Sequence, residues 1–129
     1  MLDYGCGSGI LAIAAMKLGA ASAIGVDIDP AALLAARHNA MQNLVMMEFV
    51  AADRTAPPAA DIVLANILAH PLVLLAPLLA RATRRGGQIV LSGVLEPQAG
   101  EVRDAYRAWF DMHPAECDDG WVLLSGSKR

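Results

Sequence analysis

Seven residues near the start, Asp3-Tyr4-Gly5-Cys6-Gly7-Ser8-Gly9, constrain the fold more than any other stretch of this chain. An acid and three alternating glycines, followed by the apolar run Ile10 to Met16, read as a strand end, a tight turn and a helix start. Glycine at such a turn permits positive φ and lets a ligand approach the backbone with no Cβ in the way. The helix beyond it offers free N–H groups and a positive dipole end, which suit a carboxylate or a phosphate. Spacing then separates ligand classes. A dinucleotide-binding turn reads G-x-G-x-x-G, and Ile10 stands where its third glycine belongs. Asp3 at the mouth of the turn repels a pyrophosphate, yet it can accept hydrogen bonds from an ammonium group or order water around one. An ordinary glycine-rich turn is the plain alternative.

The length, 129 residues, suits one domain spanning 1–129 with a single core. With 56% hydrophobic and 18% charged residues, the chain reads as strands buried on both faces, hence an α/β fold with a parallel sheet. A net charge of −3, with no long run of Lys or Arg, argues against direct nucleic-acid binding. The longest apolar stretch, Ile62 to Ala80, is broken by Asn66, His70, Pro71 and Pro77, so a membrane span is not expected. Cys6 and Cys117 form no disulfide framework, which points to a reducing cytoplasm. Cys6 has no acid–base partner apparent in sequence and reads as a small side chain under the turn. Only Met1 and Leu2 precede Asp3, so the first strand reads as truncated and the chain as a fragment. An apolar strip exposed by that truncation is expected to favour self-association.

Alternating β and α signals follow. Ile10 to Leu18 reads as a helix stopped by Gly19, Ala23 to Val26 as a strand, and Asp29-Pro30 as the cap and first turn of a helix to about Gln42. That helix presents Leu33, Ala36 and Ala40 on one face. Val45 to Val50 and Asp61 to Ala65 are strands, with a loop over Thr55 to Ala60 between them. Pro71 to Arg84 reads as a helix kinked or split at Pro77, its C-terminus stabilised by Arg81, Arg84 and Arg85. Arg85-Gly86-Gly87 is a turn into a strand over Gln88 to Gly93, and Glu96 to Trp109 is an amphipathic helix. Phe110 to Glu116 and Trp121 to Ser125 flank Asp118-Asp119-Gly120, a hairpin signal. The expected architecture is a Rossmann-like, doubly wound, mostly parallel sheet, with one antiparallel strand from the C-terminal hairpin.

Strand ends carry Asp3 with Gly5, Gly7 and Gly9, then Asp27, Asp53 and Asn66. In a doubly wound sheet, ligands bind at the carboxyl ends of strands, so these residues are expected to line one crevice. Asp27 is placed to accept hydrogen bonds from two ribose hydroxyls, Ile28 to cover an adenine face, and Asp53 to accept from an adenine amino group. A turn residue is the plain alternative for Asp53, and Asp29 reads as a cap alone. Asn66 can position a nucleophile, but a neutral amide is no base. His70 reads as a helix-start residue. His38 and His113 lie away from the strand ends, and no set has metal-ligand spacing.

The glycine turn resembles motif one of the class I S-adenosylmethionine-dependent methyltransferases. Asn66-Ile67-Leu68-Ala69 lacks the Asn-Pro-Pro-aromatic motif of enzymes acting on planar amides or base amines. The stretches Asp3 to Ala15, Gly25-Val26-Asp27-Ile28-Asp29-Pro30, Ala65 to Ala69 and Leu91-Ser92-Gly93-Val94-Leu95 together resemble the methyltransferases of large-subunit ribosomal protein eleven. The resemblance implies S-adenosylmethionine as cofactor and methylation of lysine ε-amino and N-terminal α-amino groups on that ribosomal protein. It implies Gly5, Asp27 and Asn66 as cofactor contacts, with Asn66 also facing the acceptor amine and so the catalytic residue. The family's N-terminal recognition domain and its Gly/His/Thr-rich segment have no counterpart here. Two further readings stay open: a stand-alone small-molecule methyltransferase, and a cofactor-binding module without activity. A nicotinamide-dependent dehydrogenase is the outside alternative.

Overall fold

A computed structural model describes residues 1–53 and 56–129, which fall into two compact units, Met1–Pro58 and Ala59–Arg129. In the first unit the order is β1 (Leu2–Tyr4), α1 (Ile10–Lys17), β2 (Ile24–Asp27), α2 (Pro30–Gln42) and β3 (Glu48–Ala51). β2 is central, pairing in parallel with β1 (Asp3 opposite Gly25) and with β3 (Gly25 opposite Phe49). Parallel strands joined through helices bury their residues, and β1 is buried throughout. The expected apolar face of α2, Leu33, Ala36 and Ala40, packs with Cys6, Ile13 and Phe49. Asp29 caps α2 by accepting from the Ala31 N–H at 2.9 Å, with Pro30 at the first helical position. Of the loop expected over Thr55 to Ala60, Thr55 lies outside the described residues and Ala60 already opens the next strand.

The second unit contains β4 (Ala60–Asn66), α3 (Ala69–Ala82), β5 (Thr83–Leu95), a 3-10 turn (Glu96–Gln98), α4 (Ala99–Tyr106), β6 (Phe110–Met112), β7 (Glu116–Asp118) and β8 (Trp121–Lys128). β4 and β5 are parallel; β8 runs antiparallel to β5, and both β6 and β7 pair antiparallel with β8. The core includes Leu72, Leu79, Leu91, Val102, Phe110 and Leu124. Inside it the Tyr106 hydroxyl donates to the Leu72 carbonyl at 2.8 Å, fixing α4 to α3.

Four expectations are corrected here. α3 runs through Pro77 as one helix rather than splitting, because Leu72, Ala76, Leu79 and Ala80 bury one side of it on both sides of the proline. Arg84 and Arg85 belong to β5, not to the helix end, and Arg84 pairs with Asp61 on β4 at 3.1 Å. The Arg85-Gly86-Gly87 turn is an irregularity inside β5, where the register with β4 shifts between Ala60 opposite Thr83 and Ile62 opposite Gln88. The C-terminal segment gives three strands, not two, since the stretch around Pro114, which lacks a donor, separates β6 from β7. The Asp119-Gly120 turn forms as expected, with φ of 51° and 83° and Asp118 opposite Trp121.

Candidate functional site

In the first unit the glycine turn leaves β1 and enters α1 with Gly5, Gly7 and Gly9 at φ of 78°, 53° and 82°. The left-handed conformations are the physical reason for glycine at all three. Side-chain room adds a second reason at Gly9, where a Cβ would lie 3.2 Å from Ala36 Cβ and from the Phe49 ring. At Gly7 the space is open, so the backbone there is accessible to a ligand. The turn is held from several sides. Gly5 and Cys6 N–H groups donate to the Val26 carbonyl at 2.7 and 2.9 Å, and the Asn39 amide donates to the Ser8 carbonyl at 3.0 Å. Gly9 caps α1 with no side-chain hydrogen bond of its own, and among the first-turn N–H groups that of Ala12 meets the Asp3 carboxyl.

Two carboxylates flank this turn, and their surroundings differ. Asp3 is 1% exposed, and its Oδ2 has no hydrogen-bond partner among the described residues. Burial raises its pKa to about 6, against the pull of the Ala12 backbone N–H, and the Asp27 carboxylate adds to the rise. Asp27, partly exposed at the end of β2, accepts from the Gly7 N–H at 2.8 Å through Oδ2 and from the Asp29 N–H at 3.0 Å through Oδ1. Each oxygen keeps accepting capacity for a further donor. Ile28, the next residue, leaves 81% of its surface exposed, an apolar side chain at a strand end. Asp53 is exposed in the turn after β3, where the Ala52 N–H donates to the Asp27 carbonyl at 3.0 Å. Cys6 is buried beneath the turn, and burial with the nearby Asp3 and Asp27 charges pushes its thiol up to about 12. The thiol is therefore protonated at neutral pH, which removes it as a nucleophile.

In the second unit Asn66 ends β4 opposite Ser92 of β5 and is exposed. It lines a cavity of about 410 Å³ with Ile67, Leu68, Ser92, Gly93 and Trp121. A Cβ at Gly93 would lie 2.5 Å from the Ile67 carbonyl and 3.1 Å from Asn66 Oδ1, so glycine is what lets the Asn66–Leu68 segment sit there. His70 lies in the first turn of α3, as expected.

The turn brings Asp3, Gly5, Gly7, Gly9 and Asp27 together, with Ile28 and Asp53 following on strand ends of the same unit; Asn66 stands in the other unit's cavity. Sequence reasoning missed Trp121, because its place follows from the β5–β8 register, Leu95 opposite Trp121. Ser92 and Gly93 have no role legible from local sequence, although they lie within the family-like stretch Leu91 to Leu95. Among the described residues no helix is long and apolar enough to cross a membrane.

The family model described as Ribosomal protein L11 methyltransferase (PrmA) matches residues 1–129. The chain is 56% identical over 129 residues to a ribosomal protein L11 methyltransferase of Neisseria gonorrhoeae, covering 100% of this chain and 44% of that protein. It is 54% identical to that of Chromobacterium violaceum, covering 100% of this chain and 43% of that one. The chain thus spans less than half the length of these relatives. Among solved structures, a ribosomal protein L11 methylase from Lactobacillus delbrueckii subsp. bulgaricus superposes with a TM-score of 0.90 at 32% identity, over 99% of this chain and 69% of that one. An RNA methyltransferase from Salinibacter ruber, in complex with S-adenosyl-L-homocysteine, shares the fold with a TM-score of 0.78 at 24% identity, over 98% of this chain and 78% of that one. The fold is the Rossmann-like methyltransferase fold, mostly parallel with antiparallel strands. Matched by that family model over residues 1–129 and more than half identical to these relatives along its whole length, the chain belongs to the ribosomal protein L11 methyltransferase (PrmA) family.

Proposed function

We propose that residues 1–129 act as a single S-adenosylmethionine-dependent methyltransferase domain, methylating lysine ε-amino and N-terminal α-amino groups of ribosomal protein L11 in the cytoplasm. The observation that carries the reading is Asp3: a carboxylate 1% exposed, with one oxygen unpartnered, beneath a glycine turn that leaves Gly7 open. A buried charge of this kind is stabilised by a cation, and the cofactor's ammonium group supplies one. When bound, the cofactor provides an activated methyl group on a sulfonium.

The chain's own residues have separate tasks. The first-turn N–H groups of α1 receive a carboxylate. Asp27 uses its remaining lone pairs on ribose hydroxyls while keeping the turn in place through Gly7. Ile28 offers an apolar face to a flat ring, and Asp53 an acceptor to its amino group. Asn66 accepts from the acceptor amine and orients it; the amine reaches the reaction neutral, since Asn66 takes no proton. Orientation is the main protein contribution to a transfer from an already activated donor.

Calorimetry with S-adenosylmethionine, followed by tritiated methyl transfer to ribosomal protein L11, tests the reading. Asp27→Ala is expected to weaken cofactor binding by about 1–3 kcal/mol. Unchanged affinity in that variant overturns the assignment of Asp27. Cofactor binding without transfer by this chain leaves a binding module and overturns the enzyme reading.

A further inference from the structure

The cavity that holds Asn66 opens onto a sheet face whose residues are set by strand register. Leu95 of β5 lies opposite Trp121 of β8, and Trp121 lies opposite Asp118 of β7. Two residues along, Leu123 lies opposite Glu116. Directly opposed residues of antiparallel strands point to the same face, and alternate residues of one strand share it. Leu95, Trp121, Leu123, Asp118 and Glu116 therefore form one surface. Trp121 is 52% exposed, and Leu95 and Leu123 are likewise open, while Val122 and Leu124 turn into the core. The same Trp121 lines the cavity, so surface and cavity are continuous.

The segments that form this face carry charge of one sign. Residues 95–96 and 116–123, which form the face and its turn, carry Glu96, Glu116, Asp118 and Asp119 and no Lys or Arg. Among the described residues, the ion pairs engage Asp61, Asp104 and Asp111, leaving Glu96, Glu116 and Asp118 in none. The Glu96 N–H donates to the Gly120 carbonyl at 2.9 Å, which fastens the hairpin turn to the segment after β5. This bond holds the turn after Asp118 beside the end of the apolar strip. Acids interleaved with exposed Trp and Leu match a chain that has both aliphatic length and positive charge.

We propose that the Leu95–Trp121–Leu123 face docks an extended basic segment of the polypeptide substrate, whose Lys or Arg side chains lay their methylenes on the apolar strip and their charges on Glu116 and Asp118. This rests on the proposed protein-amine methyltransferase function and deepens it: acceptor amines are selected by basic neighbours in the sequence. Arg and Lys stems cover apolar surface while their heads stay with charge or water.

Two labelled peptides sharing one central lysine, flanked either by arginines or by glutamines, test this by fluorescence anisotropy with the chain. The arginine peptide is expected to bind about 2- to 10-fold tighter at low ionic strength, as two exposed ion pairs allow. The preference should shrink at about 0.5 M salt, where screening acts within a few ångströms. The E116Q/D118N variant should lose most of the preference and E116K/D118K should reverse it. A control with the same change of net charge elsewhere, E48K/E101K, should keep it. Equal affinity for both peptides in the unaltered chain, or a preference that survives in E116K/D118K, overturns the proposal. Titration of S-adenosylmethionine into the same samples separates the two readings. Cofactor binding without peptide preference removes the docking face alone, whereas absent cofactor binding removes the proposed function and leaves the face to be judged by the peptides.

Discussion

At the residue scale, the burial of Asp3 has a consequence for stability that pH measurements can read. In the unfolded chain its carboxyl has the ordinary value of 3.8, and in the folded chain about 6. Between those values the folded chain holds a proton that the unfolded chain has released. Its stabilising contribution is therefore full below pH 3.8 and is lost as pH rises through 6, a difference of about 3 kcal/mol. Asp3→Asn removes the ionisation. The variant's stability relative to the parent, from urea denaturation, is expected to rise by about 2.5 kcal/mol between pH 4 and 7.5. A difference that does not change with pH would show that the Asp3 carboxyl titrates in the fold as it does in the unfolded chain. Under the proposed function the same variant binds S-adenosylmethionine more weakly, because a neutral amide no longer balances the ammonium. Greater stability with weaker binding marks a group retained for its ligand.

At the element scale, α1 and α2 end in the same hydrogen-bond pattern with different residues at the critical position. After α1 the Gly19 N–H donates to the Met16 carbonyl and the Ala20 N–H to the Ala15 carbonyl. After α2 the Leu44 N–H donates to the Met41 carbonyl and the Val45 N–H to the Ala40 carbonyl. Both are Schellman endings, whose first residue beyond the cap takes positive φ. Gly19 does so freely at 109°, whereas Leu44 is held at 58° with 88% of its surface exposed. Leu44 contributes little packing and bears the left-handed strain of a side chain. Leu44→Gly is expected to raise stability by about 1 kcal/mol, read as a higher denaturation midpoint with an unchanged slope. A lower midpoint would mean that the Leu44 side chain makes a stabilising contact in solution.

At the scale of the whole molecule, ligand linkage distinguishes the competing cofactors. A ligand present at a hundred times its dissociation constant stabilises the folded chain by about 2.7 kcal/mol. For a chain of this size that raises the melting midpoint by on the order of 10 °C. S-Adenosylmethionine is expected to produce such a shift, and NADH none; the reverse would restore the dehydrogenase reading. Local sequence by itself determined much of this outcome. Glycine spacing at 5, 7 and 9, the Asp29-Pro30 cap, the Asp119-Gly120 turn and the apolar face of α2 each act within a few residues, so their geometry follows from side-chain chemistry and is legible without a fold. Family membership was legible too, because it rests on combined local motifs. Tertiary structure alone decided the rest. Packing on both sides of Pro77 carried α3 through a residue that disfavours helix. Pairing with β4 drew Arg84 and Arg85 into β5, since a strand's extent depends on a partner distant in sequence. Register across β5, β8 and β7 put Trp121 at the Asn66 cavity and Glu116 and Asp118 on its face. Burial, which no local pattern measures, left one Asp3 oxygen without a partner and so gave the glycine turn its charge.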